Sequence, residues 1–233
     1  KRLVCCNKAY RQKGIPSMNW IDSLERKFGR HSIPHLMYFI TGVMLAVYVT
    51  DLVLGGQVSA ALYFDRSLIL RGEVWRLVTF LFLPPNSSPI WILFSLYFYC
   101  LIGNGLESAW GSFRFNIFYL VGVLGAVCSG LITGYAANGF LNMSLFLAFA
   151  AIYPDNQVLV FFFLPIKIKW LALLDALYFI FAFFAGGWPS KLAILFALLN
   201  IVLFFGGDLL RNAKQQAGFW KTRYNFRKNN RRY

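Results

Sequence analysis

Residues 113–134 read Phe-Arg-Phe-Asn-Ile-Phe-Tyr-Leu-Val-Gly-Val-Leu-Gly-Ala-Val-Cys-Ser-Gly-Leu-Ile-Thr-Gly. No charge follows Arg114 in this stretch, and about 20 apolar residues at a helical rise of about 1.5 Å each cross a hydrocarbon core of about 30 Å. Gly122, Ala126, Gly130 and Gly134 recur at four-residue intervals, with Gly125 and Ser129 beside them. In a helix this spacing gathers them on one face without bulk. Such a face lets another helix backbone approach closely. The expectation is packing inside a bundle, with a groove for a partner helix as the alternative.

Further apolar runs lie on both sides. Expected spans cover 36–54, 90–106, 113–133, 140–153, 170–185 and 192–205, six in all. Between the first two, Gly55-Gly56 opens a long loop carrying Asp65, Arg66, Arg71, Glu73 and Arg76. The chain turns apolar again near Leu77 and is broken by Pro84-Pro85-Asn86-Ser87-Ser88-Pro89. Residues 158–164 are apolar but too short to cross, and Pro165 with Lys167 and Lys169 marks an interface, so a shallow loop is expected there. Gly186-Gly187-Trp188-Pro189 reads as the turn before the sixth span. Upstream, Trp20, Ile21, Leu24 and Phe28 share one face of a helix over 19–30, expected to lie on the membrane surface. The fold class is therefore all-α integral membrane: a basic leader over 1–35, a six-helix membrane domain over 36–207 with a membrane-associated first loop, and a basic tail over 208–233.

Composition agrees with this reading. Apolar residues make up 58% of the 233 positions and charged ones 14%, and mean hydropathy is +0.56, outside the balance of a soluble domain. The net charge of +14 would suggest nucleic acid in a soluble chain. Here eight Lys and Arg precede the first span and eight follow the last. Six spans put nineteen of the 23 basic residues on the side of both termini and four (Arg66, Arg71, Arg76, Lys191) on the other. By the positive-inside rule both termini are cytoplasmic, and the basic ends meet anionic lipid rather than nucleic acid. A seventh span over 158–164 would destroy the asymmetry. Met18 heads a plausible natural start, and no cleavable signal peptide is visible. The expected location is a bacterial cytoplasmic membrane.

Cys5 and Cys6 sit in the leader, Cys100 and Cys128 in spans, and no disulfide framework follows. Polar residues within or near spans are few: Asn138, Asn142, Ser144, Asp175, Asn200 and Asp208. Each is costly in lipid and should face protein or water. Asp175 is the sharpest case, and reaching for the cytoplasmic interface or for Lys169 would satisfy it. No cofactor or metal is expected: the two histidines, His31 and His35, precede the first span, the cysteines lack zinc spacing, and no Gly-rich phosphate loop is followed by Lys-Ser or Lys-Thr.

Three motifs, in order, resemble a known family. Gly72-Glu73-Val74-Trp75-Arg76-Leu77-Val78-Thr79 is similar to the Trp-Arg element in the first loop of rhomboid proteases and derlins. Gly103-Asn104-Gly105-Leu106-Glu107, then Gly111-Ser112-Phe113-Arg114-Phe115 and Tyr119, resembles the rhomboid connection between second and third spans. Tyr153-Pro154, Val158-Leu159, Pro165-Ile166 and Lys169-Trp170-Leu171-Ala172 resemble the stretch joining the fourth and fifth. Together they cover about 36–207.

The resemblance implies a serine in Gly-x-Ser-Gly at the start of the fourth span and a histidine from the sixth. The imidazole would take the proton of a hydroxyl that is otherwise a poor nucleophile. This chain reads Ala136-Ala137-Asn138-Gly139 there, and no histidine follows His35. The oxyanion-stabilising histidine and asparagine of the family fall at Trp91 and Ser95. With nucleophile, base and oxyanion donors all changed, the expectation is a pseudoprotease that binds transmembrane segments of client membrane proteins in folding, assembly or turnover. Two alternatives stay open: an intramembrane peptidase using Ser144 with Asp175, and a small-solute or lipid-handling protein using Asp175, Asn142 and Asn200.

Overall fold

The structure is a computed structural model that describes residues 19–29, 32–85, 88–160 and 164–205. The leader with Cys5 and Cys6, His31, and the tail with Asp208 lie outside the described residues. The elements are α1 (Asn19–Phe28), α2 (Leu36–Leu54), three short helices α3 (Gln57–Leu62), α4 (Arg66–Leu70) and α5 (Arg76–Thr79), a 3-10 turn (Phe80–Phe82), α6 (Pro89–Trp110), α7 (Ser112–Thr133), α8 (Gly139–Ile152), strands β1 (Gln157–Val160) and β2 (Leu164–Lys167), α9 (Ile168–Ala185) and α10 (Trp188–Phe205).

Five helices, α2, α6, α7, α9 and α10, are long and apolar enough to cross a membrane. α8 has 14 residues, about 21 Å at the helical rise and short of the about 30 Å core. It is also the most enclosed: Leu141, Asn142, Ser144, Leu145, Phe146, Ala148, Phe149 and Ala150 are all buried. A central helix shielded by its neighbours can be short because it meets protein rather than lipid. α6 packs against α2, α7 and α8, and α8 also meets α9. The small residues allow this closeness. A Cβ on Gly103 would fall on the Met37 side chain of α2, and one on Gly105 would fall on the Phe149 ring of α8.

Several boundaries differ from the sequence reading, each for a local reason. The stretch expected as a shallow loop is an antiparallel hairpin pairing Gln157 with Lys167 and Val158 with Ile166. The β-branched Val158, Val160 and Ile166 favour strands, and Pro165 is tolerated because a two-stranded sheet has only edges. Backbone bonds from Ile168 to Asn156 (2.9 Å) and from Lys169 to Pro154 (3.1 Å) close its base, so α9 starts at Ile168 rather than 170. α10 starts at Trp188 rather than 192, because Pro189 suits the first helical turn. α6 extends from Pro89 to Trp110 beyond the expected 90–106. α1 does more than lie on a surface: Ile21 is 1% exposed within the main core, whereas Phe28 remains exposed.

Candidate functional site

The first loop is a folded unit built around Arg76. Its guanidinium is buried, donates from Nε to Glu73 Oε2 (2.7 Å), and donates from Nη1 to the carbonyls of Ala60 (3.2 Å) and Tyr63 (2.9 Å). It also lies 5.0 Å from the Tyr63 ring centroid. Ala60 and Tyr63 sit at the end of α3, where carbonyls lack helical partners, so a five-donor guanidinium fits the need. Thr79 Oγ1 adds a bond to Leu62 O (3.1 Å). Trp75 is half-exposed beside it. At the start of α4, the Asp65 carboxylate accepts from Ser67 Oγ (2.5 Å), Ser67 N (2.7 Å) and Leu68 N (3.4 Å). The Ser67 side chain, then its backbone N–H, hold this carboxyl below its ordinary range.

A second polar knot joins α6 to α7. Gly111 has φ 86° and ψ 157°, a region essentially reserved for glycine, and this lets one residue separate two long helices. Glu107 accepts from the backbone N–H of His35 at 3.0 and 3.1 Å and from Ser112 Oγ at 2.5 Å. Arg114 Nε pairs with Glu25 of α1 at 3.0 Å. Gly103, Glu107, Gly111 and Arg114 thus tie α1 and the start of α2 to the α6–α7 corner. His35 serves this corner through its backbone.

The small face of α7 is covered from within. A Cβ on Gly122 would meet Leu141 of α8 and Asn200 of α10, one on Gly125 would lie 3.2 Å from Phe196 Cβ, and one on Gly130 would lie 2.7 Å from both Ala136 Cβ and Phe64 Cε1. Phe64, from the first loop, is fully buried and edge-on to Phe80. No sequence signal marked it, because an isolated Phe in a loop looks like any interfacial aromatic. Gly134 caps α7 with φ 93°. Ala126 lines a crevice of about 60 Å³ together with Gly122, Ser129, Ala137, Ser190 and Ala193.

The intramembrane polar residues do not form one constellation. Asn138 Nδ2 donates to the carbonyls of Leu81 (3.1 Å) and Leu83 (2.9 Å), docking the 3-10 turn onto the start of α8. Ser144 is fully buried and its hydroxyl donates to Leu141 O (2.7 Å) within its own helix. Asp175 lies on α9 between Leu171 and Phe179 at helical spacing, and its Oδ2 has no hydrogen-bond partner among the described residues. Lys169, one of the two ways expected to satisfy it, instead approaches Asp155 at 3.8 Å, because the hairpin brings Asp155 and Lys169 together at its base. Ser144 and Asp175 therefore make no hydrogen bond to each other. Asn142 and Asn200 stand with Tyr99 and Tyr119, which the sequence reading did not link to them. Among the described residues no group of His, Cys, Asp and Glu could hold a metal ion.

Fold and site together define a multi-pass α-helical membrane protein with a clamped first loop and a tight α6–α7 corner. Residues 71–204 match the family model described as the Rhomboid domain. That is more than half of the chain, and it belongs to the rhomboid family. No curated protein matches the chain.

Proposed function

We propose that this is a non-catalytic rhomboid-family protein that binds transmembrane segments of other membrane proteins and thereby acts in their folding, assembly or turnover. One observation carries the reading: no residue after His35 can supply an imidazole base, and the His35 backbone is engaged by Glu107 at the α6–α7 corner. In the stretch where the resemblance implies the nucleophile there is no serine, and Asn138 there donates its amide to loop carbonyls. Trp91, aligned with an oxyanion donor, is exposed on α6. The proposed topology has six spans, α8 being the inner one, with both termini cytoplasmic in a bacterial membrane.

The lipid-facing character of α9 supports a binding role. Only 11% of its span is buried, against 33% for α2 and for α7, and Leu173, Leu174, Leu177, Ile180, Phe181 and Phe184 all face outward. A helix so lightly held offers a long apolar side to another helix. Reconstituted protein given a model transmembrane substrate is expected to leave it intact. Cleavage abolished by Ser144→Ala would overturn the proposal in favour of a peptidase.

A further inference from the structure

Three helices present buried polar atoms that find no partner among the described residues. These are the Tyr119 hydroxyl on α7, both amide atoms of Asn142 on α8, and Asn200 Oδ1 on α10. Their residues are 5%, 3% and 1% exposed. They form one neighbourhood. Asn200 Nδ2 donates to Phe118 O (3.2 Å), one residue before Tyr119, and the Asn200 amide and Leu141 both abut Gly122, one turn beyond Tyr119. Tyr99 of α6 stands beside both Asn142 and Tyr119, outside hydrogen-bond geometry with the amide.

Each buried polar atom left without a partner costs about 1–3 kcal/mol, and four together, about 4–12 kcal/mol, are comparable to the whole stability of about 5–15 kcal/mol of a folded domain. The set contains donors (the Tyr119 hydroxyl and Asn142 Nδ2) and acceptors (Asn142 Oδ1 and Asn200 Oδ1), and every member is neutral. That composition fits a small neutral molecule able to donate and accept at once. A crevice lies on the same face of α7 and ends beside Gly122, where Leu141 and the Asn200 amide close on it. Tyr119, Gly122, Ala126 and Ser129 follow at three- and four-residue spacing. Ser129 is 2% exposed with its hydroxyl unpartnered, and the crevice beside it reaches Gly122. We propose that Tyr119, Asn142 and Asn200, with Tyr99, form a buried site for bound water, supplied along the Gly122–Ala126–Ser129 crevice. A crevice of about 60 Å³ holds more than one water.

Radiolytic hydroxyl-radical footprinting of the full chain in lipid nanodiscs tests this, because radicals generated from bound water oxidise the side chains that touch it. Phe118 is the internal control: it is fully buried and packed against the Trp110 and Phe204 rings. After correction for intrinsic reactivity, Tyr119 is expected to oxidise several-fold faster than Phe118. Equal protection of the two would overturn the site. Ala126→Leu, which fills the crevice, is expected to lower Tyr119 oxidation in protein of unchanged helical content, and unchanged oxidation would overturn the supply route. The wild-type comparison decides the site whether or not that variant folds.

Discussion

The first loop and α9 are held in opposite ways. The loop is fastened by directional bonds: Arg76 to Glu73, Ala60 and Tyr63, Asn138 to Leu81 and Leu83, and Phe64 seated against Gly130. α9 meets the rest largely through apolar packing, with Phe179 beside Ile194 and Ala197 and the partly buried Phe140, Met143 and Leu147. In lipid, apolar packing has no hydrophobic driving force behind it, because acyl chains are as apolar as leucine. Polar clamps therefore fix the loop, whereas α9 is tied by polar bonds only at its first turn, through Ile168 and Lys169, and the rest of its length is held by contact.

Substitutions can break this contrast at either end. Arg76→Ala strands Glu73 and two carbonyls and is expected to cost about 3–5 kcal/mol, read as lowered thermal stability in detergent; Arg76→Lys should recover only part, having lost the fork. Gly122→Ala forces a methyl onto Leu141 and Asn200 and should cost about 1–3 kcal/mol. Gly139→Ala, with open space around it, should cost nothing measurable in the same assay. Phe179→Ala is expected to cost no more than about 1–2 kcal/mol, since lipid replaces the lost burial and only the cavity contribution remains. A loss comparable to Arg76→Ala would contradict the contrast. The smallest effect is at Asp65. Its carboxyl titrates below the ordinary 3.8 when folded, so its contribution is complete above that pH and fades as the pH falls through the folded value. Hydrogen exchange at Ser67 and Leu68 should quicken there, and Asp65→Asn should remove the pH dependence.

The long helices were readable because nothing but lipid or a packed core accommodates some 18 to 22 residues so apolar and so nearly free of charge. The family resemblance over 36–207 was likewise readable from ordered motifs, and residues 71–204 carry the Rhomboid domain. What escaped the sequence was set by distant contacts. An apolar run over 158–164 serves equally as loop, strand or buried helix, and Pro154 and Lys169 close it into a hairpin only through tertiary bonds. The approach of Lys169 to Asp155 depends on that hairpin. Phe64 in Gly130 and Tyr99 beside Asn142 join residues far apart in sequence, which no local pattern encodes. Glu107 was legible as a motif residue, but not its bond to the His35 backbone, because backbone partners carry no sequence signature.

The central claim is that this body binds transmembrane segments along its lightly held helix. A photoreactive residue at Leu177 of α9 and, in a separate protein, at Val53 of α2 compares two lipid-exposed positions in native membranes. The account predicts adducts with membrane proteins from position 177 well above those from position 53. Lipid adducts alone from 177, or equal protein capture from both positions, would contradict it.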